Sequence, residues 1–206
     1  MKNTDEISSE SVNNQTDESS TNQLSGVQRL LETGLLFFSV FAMFLMLALF
    51  SFNEIAYQGV IVTIVAHGLS SAALFSLAGM IYQRIHSRDL SDMGGFWQSA
   101  PRMGGFGLAF AAAAFGLPGL ANFVGEFLSL VGAYQVFPVM VILAAFGLIG
   151  SAIYGMVLFQ KTFQGHSIKA VQDLSFRELI VSSSLLMLLV ILGLYPNFVL
   201  QYFRGV

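Results

Sequence analysis

The sequence predicts an all-α, polytopic membrane helix bundle of about six transmembrane helices, one of them a candidate for a discontinuous helix. Three observations carry that expectation. Of 206 residues, 55% are hydrophobic and only 10% are charged, against roughly 25% charged in soluble domains. The mean hydropathy is +0.71. Apolar runs close to a bilayer's thickness punctuate the chain, and none alternates with the period of two that a membrane barrel requires.

Residues 1–28 make an acidic polar tail, rich in Ser, Thr, Asn, Gln, Asp and Glu. Such a segment buries too little apolar surface to offset its ordering entropy and is expected to be disordered. The late apolar start and the acidic leader argue against a secretory signal peptide. Residues 29–206 form the transmembrane domain.

The first apolar run, 33–52, is dominated by Phe, Leu and Met and reads as a lipid-facing helix. The second, 59–82, carries His67, with Ser70 and Ser71 one turn on. A polar loop, 83–102, holds Arg84, His86, Arg88 and the single Trp, Trp97. Its basic residues read most simply as solvated or lipid-facing, and Trp97 as an interfacial anchor. The third run, 103–117, is rich in Gly and Ala, which suits close helix packing in lipid.

The fourth run, 120–137, contains Glu126 and is open to a break near Tyr134 to Pro138. The fifth, 139–159, ends at Lys161, whose long stem can snorkel to headgroups. A loop, 162–176, precedes an aliphatic sixth run, 179–194, which Pro196 stops. With the third, fourth and fifth runs counted as three crossings, the basic loops after the second and fifth fall on opposite sides. The positive residues then do not decide the orientation.

Gly116, Pro118 and Gly119 mark a helix-breaking turn. Counted from Pro118 as a first helical residue, Glu126 lies roughly 12 Å along its helix. That is not far from the middle of a hydrocarbon core about 30 Å thick. A charge there costs at least ~2.5 kcal/mol on insertion scales. One reading is a proton or ion relay; the other is a protonated glutamate that only glues helices. Asn122 and Ser129 lie one turn either side on the same face and could hydrogen-bond the carboxyl or hold water. His67 lies roughly 12 Å along its helix from Gly59, at matching depth. It reads as a proton relay or as a neutral imidazole bonded across a helix interface.

The sequence has no Cys, which excludes iron–sulfur clusters, Cys-ligated zinc and thiol catalysis in this chain. His67, His86 and His166 lack the spacing of metal ligands, and no Ser–His–acid set can be assembled. Gly104-Gly105-Phe106-Gly107 opens an apolar run rather than a βαβ unit, so it is not a dinucleotide fingerprint. No basic patch supports nucleic-acid binding.

The stretch His67-Gly68-Leu69-Ser70-Ser71-Ala72-Ala73-Leu74-Phe75, then Tyr82-Gln83-Arg84-Ile85-His86-Ser87-Arg88, resembles the subunit M (mitochondrial chain 4) family of respiratory complex I. So does Gly116-Leu117-Pro118-Gly119 followed by Asn122-Phe123-Val124-Gly125-Glu126-Phe127. The likeness runs from about Ala56 to Pro196. It implies a proton-translocating, antiporter-like fold of two inverted five-helix repeats, of which only the second has a counterpart here. It also implies that Glu126 is the carboxylate on the discontinuous helix of that repeat and that His67 lies on a buried ionisable axis. NADH, flavin, iron–sulfur and quinone sites belong to other subunits of such complexes, so no cofactor is expected in this chain.

The expectation is therefore a multi-pass subunit in a bacterial inner membrane, with proton translocation coupled to quinone reduction elsewhere. Its partners would be the lipid bilayer and other membrane subunits, one of which supplies the missing first repeat. The alternatives are a non-transporting structural or assembly subunit, an inert remnant, or a subunit of a multi-chain cation/proton antiporter or membrane-bound hydrogenase.

Overall fold

The computed structural model describes residues 41–87, 93–165 and 170–201. The tail 1–28, the start of the first apolar run, and Arg88, His166 and Lys169 lie outside them. The compact unit that begins at Met43 is all-helical among its described residues. Residues 43–49 are helical (α1). They are followed by α2 (Glu54–Ile85), α3 (Phe96–Ser99), α4 (Pro101–Ala114), α5 (Ala121–Tyr134), α6 (Pro138–Phe163), α7 (Phe176–Leu194) and α8 (Asn197–Leu200).

Local chemistry sets these boundaries. The Asn53 side chain accepts from the N–H of Ile55 (2.9 Å) and Ala56 (3.3 Å), which caps α2, and Glu54 faces the positive helix end. Proline starts both α4 and α6, where its missing N–H has no intrahelical bond to lose. Asp173, distant in sequence, accepts from the N–H of Arg102 (3.2 Å) and Met103 (3.1 Å) and so caps α4 from outside. Ser175 and Glu178 form a capping box at the start of α7.

Among the described residues three helices, α2, α6 and α7, are long and apolar enough to cross a membrane. α4 and α5 have 14 residues each, or about 21 Å, too short for a core of about 30 Å. Their directions explain this. α5 runs antiparallel to α2, since Gly132 meets Ala56, Ser129 meets Gly59 and Gly125 meets Thr63. α4 runs antiparallel to α6, with Gly107 against Phe163 and Phe115 against Gly155. α6 in turn doubles back on α5 across the short turn at 135–137. α4 and α5 therefore point the same way, as two halves of one discontinuous helix broken at 115–120. The third and fourth apolar runs are one crossing, not two.

That changes the sidedness expected from sequence. One crossing by α4 and α5 and one by α6 return the chain to the side where α2 ended. Arg84 confirms the return. Its Nη1 and Nη2 donate to Glu178 at 2.9 and 2.7 Å. Its remaining N–H groups reach the carbonyls of Gln172 (2.6 Å), Met80 (2.7 Å) and Asp173 (3.1 Å). All five guanidinium donors are used. Gly95 N–H likewise donates to Gln164 O at 3.0 Å. The two basic loops thus share one rim. Arg84 is no solvated loop residue: it ends α2, and its side chain is only 14% exposed.

Other boundaries shift for local reasons. The stretch expected as a polar loop contains the last turn of α2, all of α3 and the start of α4. Trp97 sits at this rim, packed over Gly104 and edge-on to Phe159 with ring centroids 6.3 Å apart. Lys161 lies in the last turn of α6 rather than past its end. The core has two parts. Large side chains such as Phe96, Met103, Phe110 and Leu189 fill the rim half. Between α2 and α5 lies a seam of small residues, Ala56, Gly59, Thr63, Ala66 and Ser70 against Asn122, Gly125, Ser129 and Gly132. The 3–4 spacing on both helices keeps the seam continuous, and the small side chains let the backbones approach closely.

Candidate functional site at the helix break

The break begins where α4 runs out of donors for its last carbonyls. Phe115, Gly116 and Leu117 N–H close the end onto Ala111 (3.0 Å), Ala113 (3.2 Å) and Ala112 (3.0 Å). Gly116 has φ +67° and Gly119 φ +97°, left-handed values that favour glycine. Pro118 lies inside the turn. α5 begins only at Ala121, with no side chain capping it, so Pro118 is not its first residue. Glu126 stands about 7.5 Å into α5.

Glu126 is half-buried. Its carboxyl group lies over Gly116. A Cβ built on that glycine would collide with Glu126 Oε2 and come within 3.2 Å of its Cδ. Among the described residues Glu126 makes no hydrogen bond or ion pair, unlike Glu178. Asn122 and Ser129 do not serve it. Both are fully buried in the seam with α2. Asn122 Nδ2 donates to Ser70 Oγ at 3.1 Å, and Ser70 Oγ donates to the His67 carbonyl at 3.2 Å. Among the described residues Asn122 Oδ1 and Ser129 Oγ are buried with no hydrogen-bond partner. The structure therefore joins Ser70 to Asn122 and leaves Ser129 packed against Gly59. The physical reason is room: the seam admits short polar groups, while the longer glutamate turns out of it toward the break.

His67 lies on an exposed strip of α2. The antiparallel register sets Thr63 opposite Gly125, so His67 is offset from Glu126 by about five residues of helix, or roughly 7.5 Å, rather than level with it. At about 100° per residue His67 stands roughly 60° and Glu126 roughly 80° round from the middle of its helix's small-residue stripe, in the same sense. Because the helices are antiparallel, such rotations carry both to the same flank of the seam. On that flank, further toward the rim, a cavity of ≈ 420 Å³ opens between α2, α4 and α6, with Ser71, Leu74, Phe115 and Gly155 among its lining.

Sequence reasoning missed the seat that Gly116 gives Glu126 and the cluster of Arg84, Asp173 and Glu178. The first had no signal beyond the glycine itself. The second had one, the Ser175-x-x-Glu178 pattern of a capping box.

A half-buried carboxyl at the junction of two half-helices is an arrangement of the broken-helix class of integral membrane proteins, to which many secondary transporters belong. The chain belongs to the NADH:quinone oxidoreductase/Mrp antiporter transmembrane family, whose model matches residues 35–154. It is 44% identical to NADH-quinone oxidoreductase subunit M of Pseudomonas aeruginosa over 160 residues, covering 77% of this chain and 31% of that protein. It is 39% identical to the subunit M of Escherichia coli K12 over 163 residues, covering 77% and 32%. Respiratory complex I from Thermus thermophilus with bound NADH contains a similar chain, with TM-score 0.73 and 34% identity over 76% of this chain and 33% of that one. The chain thus spans about a third of the length of the relatives it matches.

Proposed function

We propose that this chain is the C-terminal, second-repeat portion of an antiporter-like membrane subunit in a bacterial inner membrane. It takes part in proton translocation coupled to quinone reduction in an NADH:quinone oxidoreductase. Glu126 loads and releases the proton and His67 passes it on. The single observation that carries this reading is the placement of Glu126, half-buried and without an ion-pair partner among the described residues, at the break between α4 and α5. A carboxyl held in a membrane interior is a functional site by default. Position on one flank of the seam supports a shared path for Glu126 and His67. Such a role needs no cofactor in this chain.

An inverted-repeat transporter builds its path between two repeats, and this stretch corresponds to the second. The expected outcome is that Glu126→Gln abolishes proton pumping by the assembled complex while electron transfer persists. An unchanged proton-to-electron ratio would overturn the role given to Glu126. A second reading, a subunit of a multi-chain cation/proton antiporter, is favoured by the span of the family itself. Purification in mild detergent separates the two: quinone-reducing subunits accompany the chain in the first case and only antiporter subunits in the second.

A further inference from the structure

We infer that Gly116 is a positioning residue for Glu126: its missing side chain is the space in which the carboxyl group rests. The inference rests on the proton-loading role of Glu126 for its meaning, but its geometry stands apart from that role. Gly116 and Gly119 occupy the same turn, and both have left-handed backbones. An added Cβ is strained at either position. The surroundings differ. At Gly119 a Cβ meets nothing within 4 Å, whereas at Gly116 it meets Oε2, Cδ and Oε1 of Glu126, the last two at 3.2 and 3.5 Å. Gly116 is therefore required twice, once by its φ and once by the carboxyl against it.

The consequence is steric coupling between the turn and the acid. Gly116→Ala pushes the carboxyl off the break and onto another rotamer, while Gly119→Ala strains the turn and leaves the carboxyl seated. Shortening the acid by one methylene, with Glu126→Asp, draws it back from position 116. That change empties the seat in the unmodified chain and relieves the collision in Gly116→Ala.

The test uses the chain in its own membrane, with whatever subunits it assembles. Covalent labelling of Glu126 by dicyclohexylcarbodiimide, followed by mass spectrometry, reads the carboxyl's surroundings without reference to transport. Gly116→Ala is expected to change the labelling rate about threefold to tenfold more than Gly119→Ala does, the size of a direct contact. Equal effects of the two variants, at matched protein yield, overturn the inference. Proton pumping gives the second reading. Glu126→Asp is expected to lower it in the unmodified chain and to raise it in Gly116→Ala, and simple additivity counts against the seat. Should Glu126→Gln pump normally, the proton role fails, while the labelling comparison still decides whether Gly116 seats the acid.

Discussion

At the scale of single residues, the energetics are set by polar groups shut away from water. Ser70 and Asn122 satisfy one another across the seam. Ser70→Ala strands Asn122 Nδ2 beside an Oδ1 that already has no partner. The expected cost is about 1 kcal/mol, toward the upper half of interhelical bonds measured in membranes, read as a lower melting temperature in detergent. Arg84 is a larger case, because its loss takes the cation from Glu178 and a donor from each of three carbonyls. Arg84→Ala is expected to destabilise by about 1–3 kcal/mol, the range of hydrogen bonds to a partly buried charged group. Arg84→Lys should recover only part of this, since one ammonium cannot reproduce the planar fork. Glu126 stood out in the sequence, because a lone carboxylate in an apolar run is conspicuous. The place of Arg84 could not: its partner lies 94 residues away, and no local pattern links an arginine at a helix end to a particular acid.

At the scale of helices, α2 and α5 are held by contact between backbones. A Cβ on Gly125 would sit 2.6 Å from Thr63 N, and backbone cannot step aside as a flexible side chain can. Gly125→Ala should therefore destabilise by about 1–3 kcal/mol. Gly68 and Gly79 on the same α2 have nothing within 4 Å, so alanine there should leave the purified chain as stable or slightly more so. Thermal melts of the three variants side by side check both statements. The glycines and small residues were visible in the sequence as close-packing signals. Which of them make the contact depends on register, and register is a property of two helices together.

At the scale of the molecule, six apolar runs counted singly suggest six crossings, whereas the discontinuous helix implied by the family resemblance merges two of them. Runs three and four looked like separate crossings because each is apolar and a Gly-Pro turn divides them. Sequence cannot tell a turn that reverses the chain from one that lets it continue; only packing against α2 and α6 does. The correction bears on orientation. Arg84, Arg102, Lys161 and Arg177 now gather at one rim, whereas the opposite end has Glu54 and, among the described residues, no Lys or Arg. The positive-inside rule then turns the basic rim to the cytoplasm. Because the chain has no Cys, single substitutions report cleanly. A membrane-impermeant maleimide added to intact cells should label Val136→Cys and spare Gln98→Cys; the opposite pattern would reverse the orientation.

The discontinuous helix is also anchored unevenly. Its first half hangs from the rim, where Asp173 caps α4 and gives its own carbonyl to Arg84. Its second half is fastened along its length to α2 by the glycine seam. Two firm moorings leave the slack to the hinge between them, so any rearrangement that accompanies a change of charge at Glu126 is funnelled into the few residues from Gly116 to Gly119. A rod cut at its middle and clamped at both ends can flex only at the cut, and that is where this protein keeps its acid.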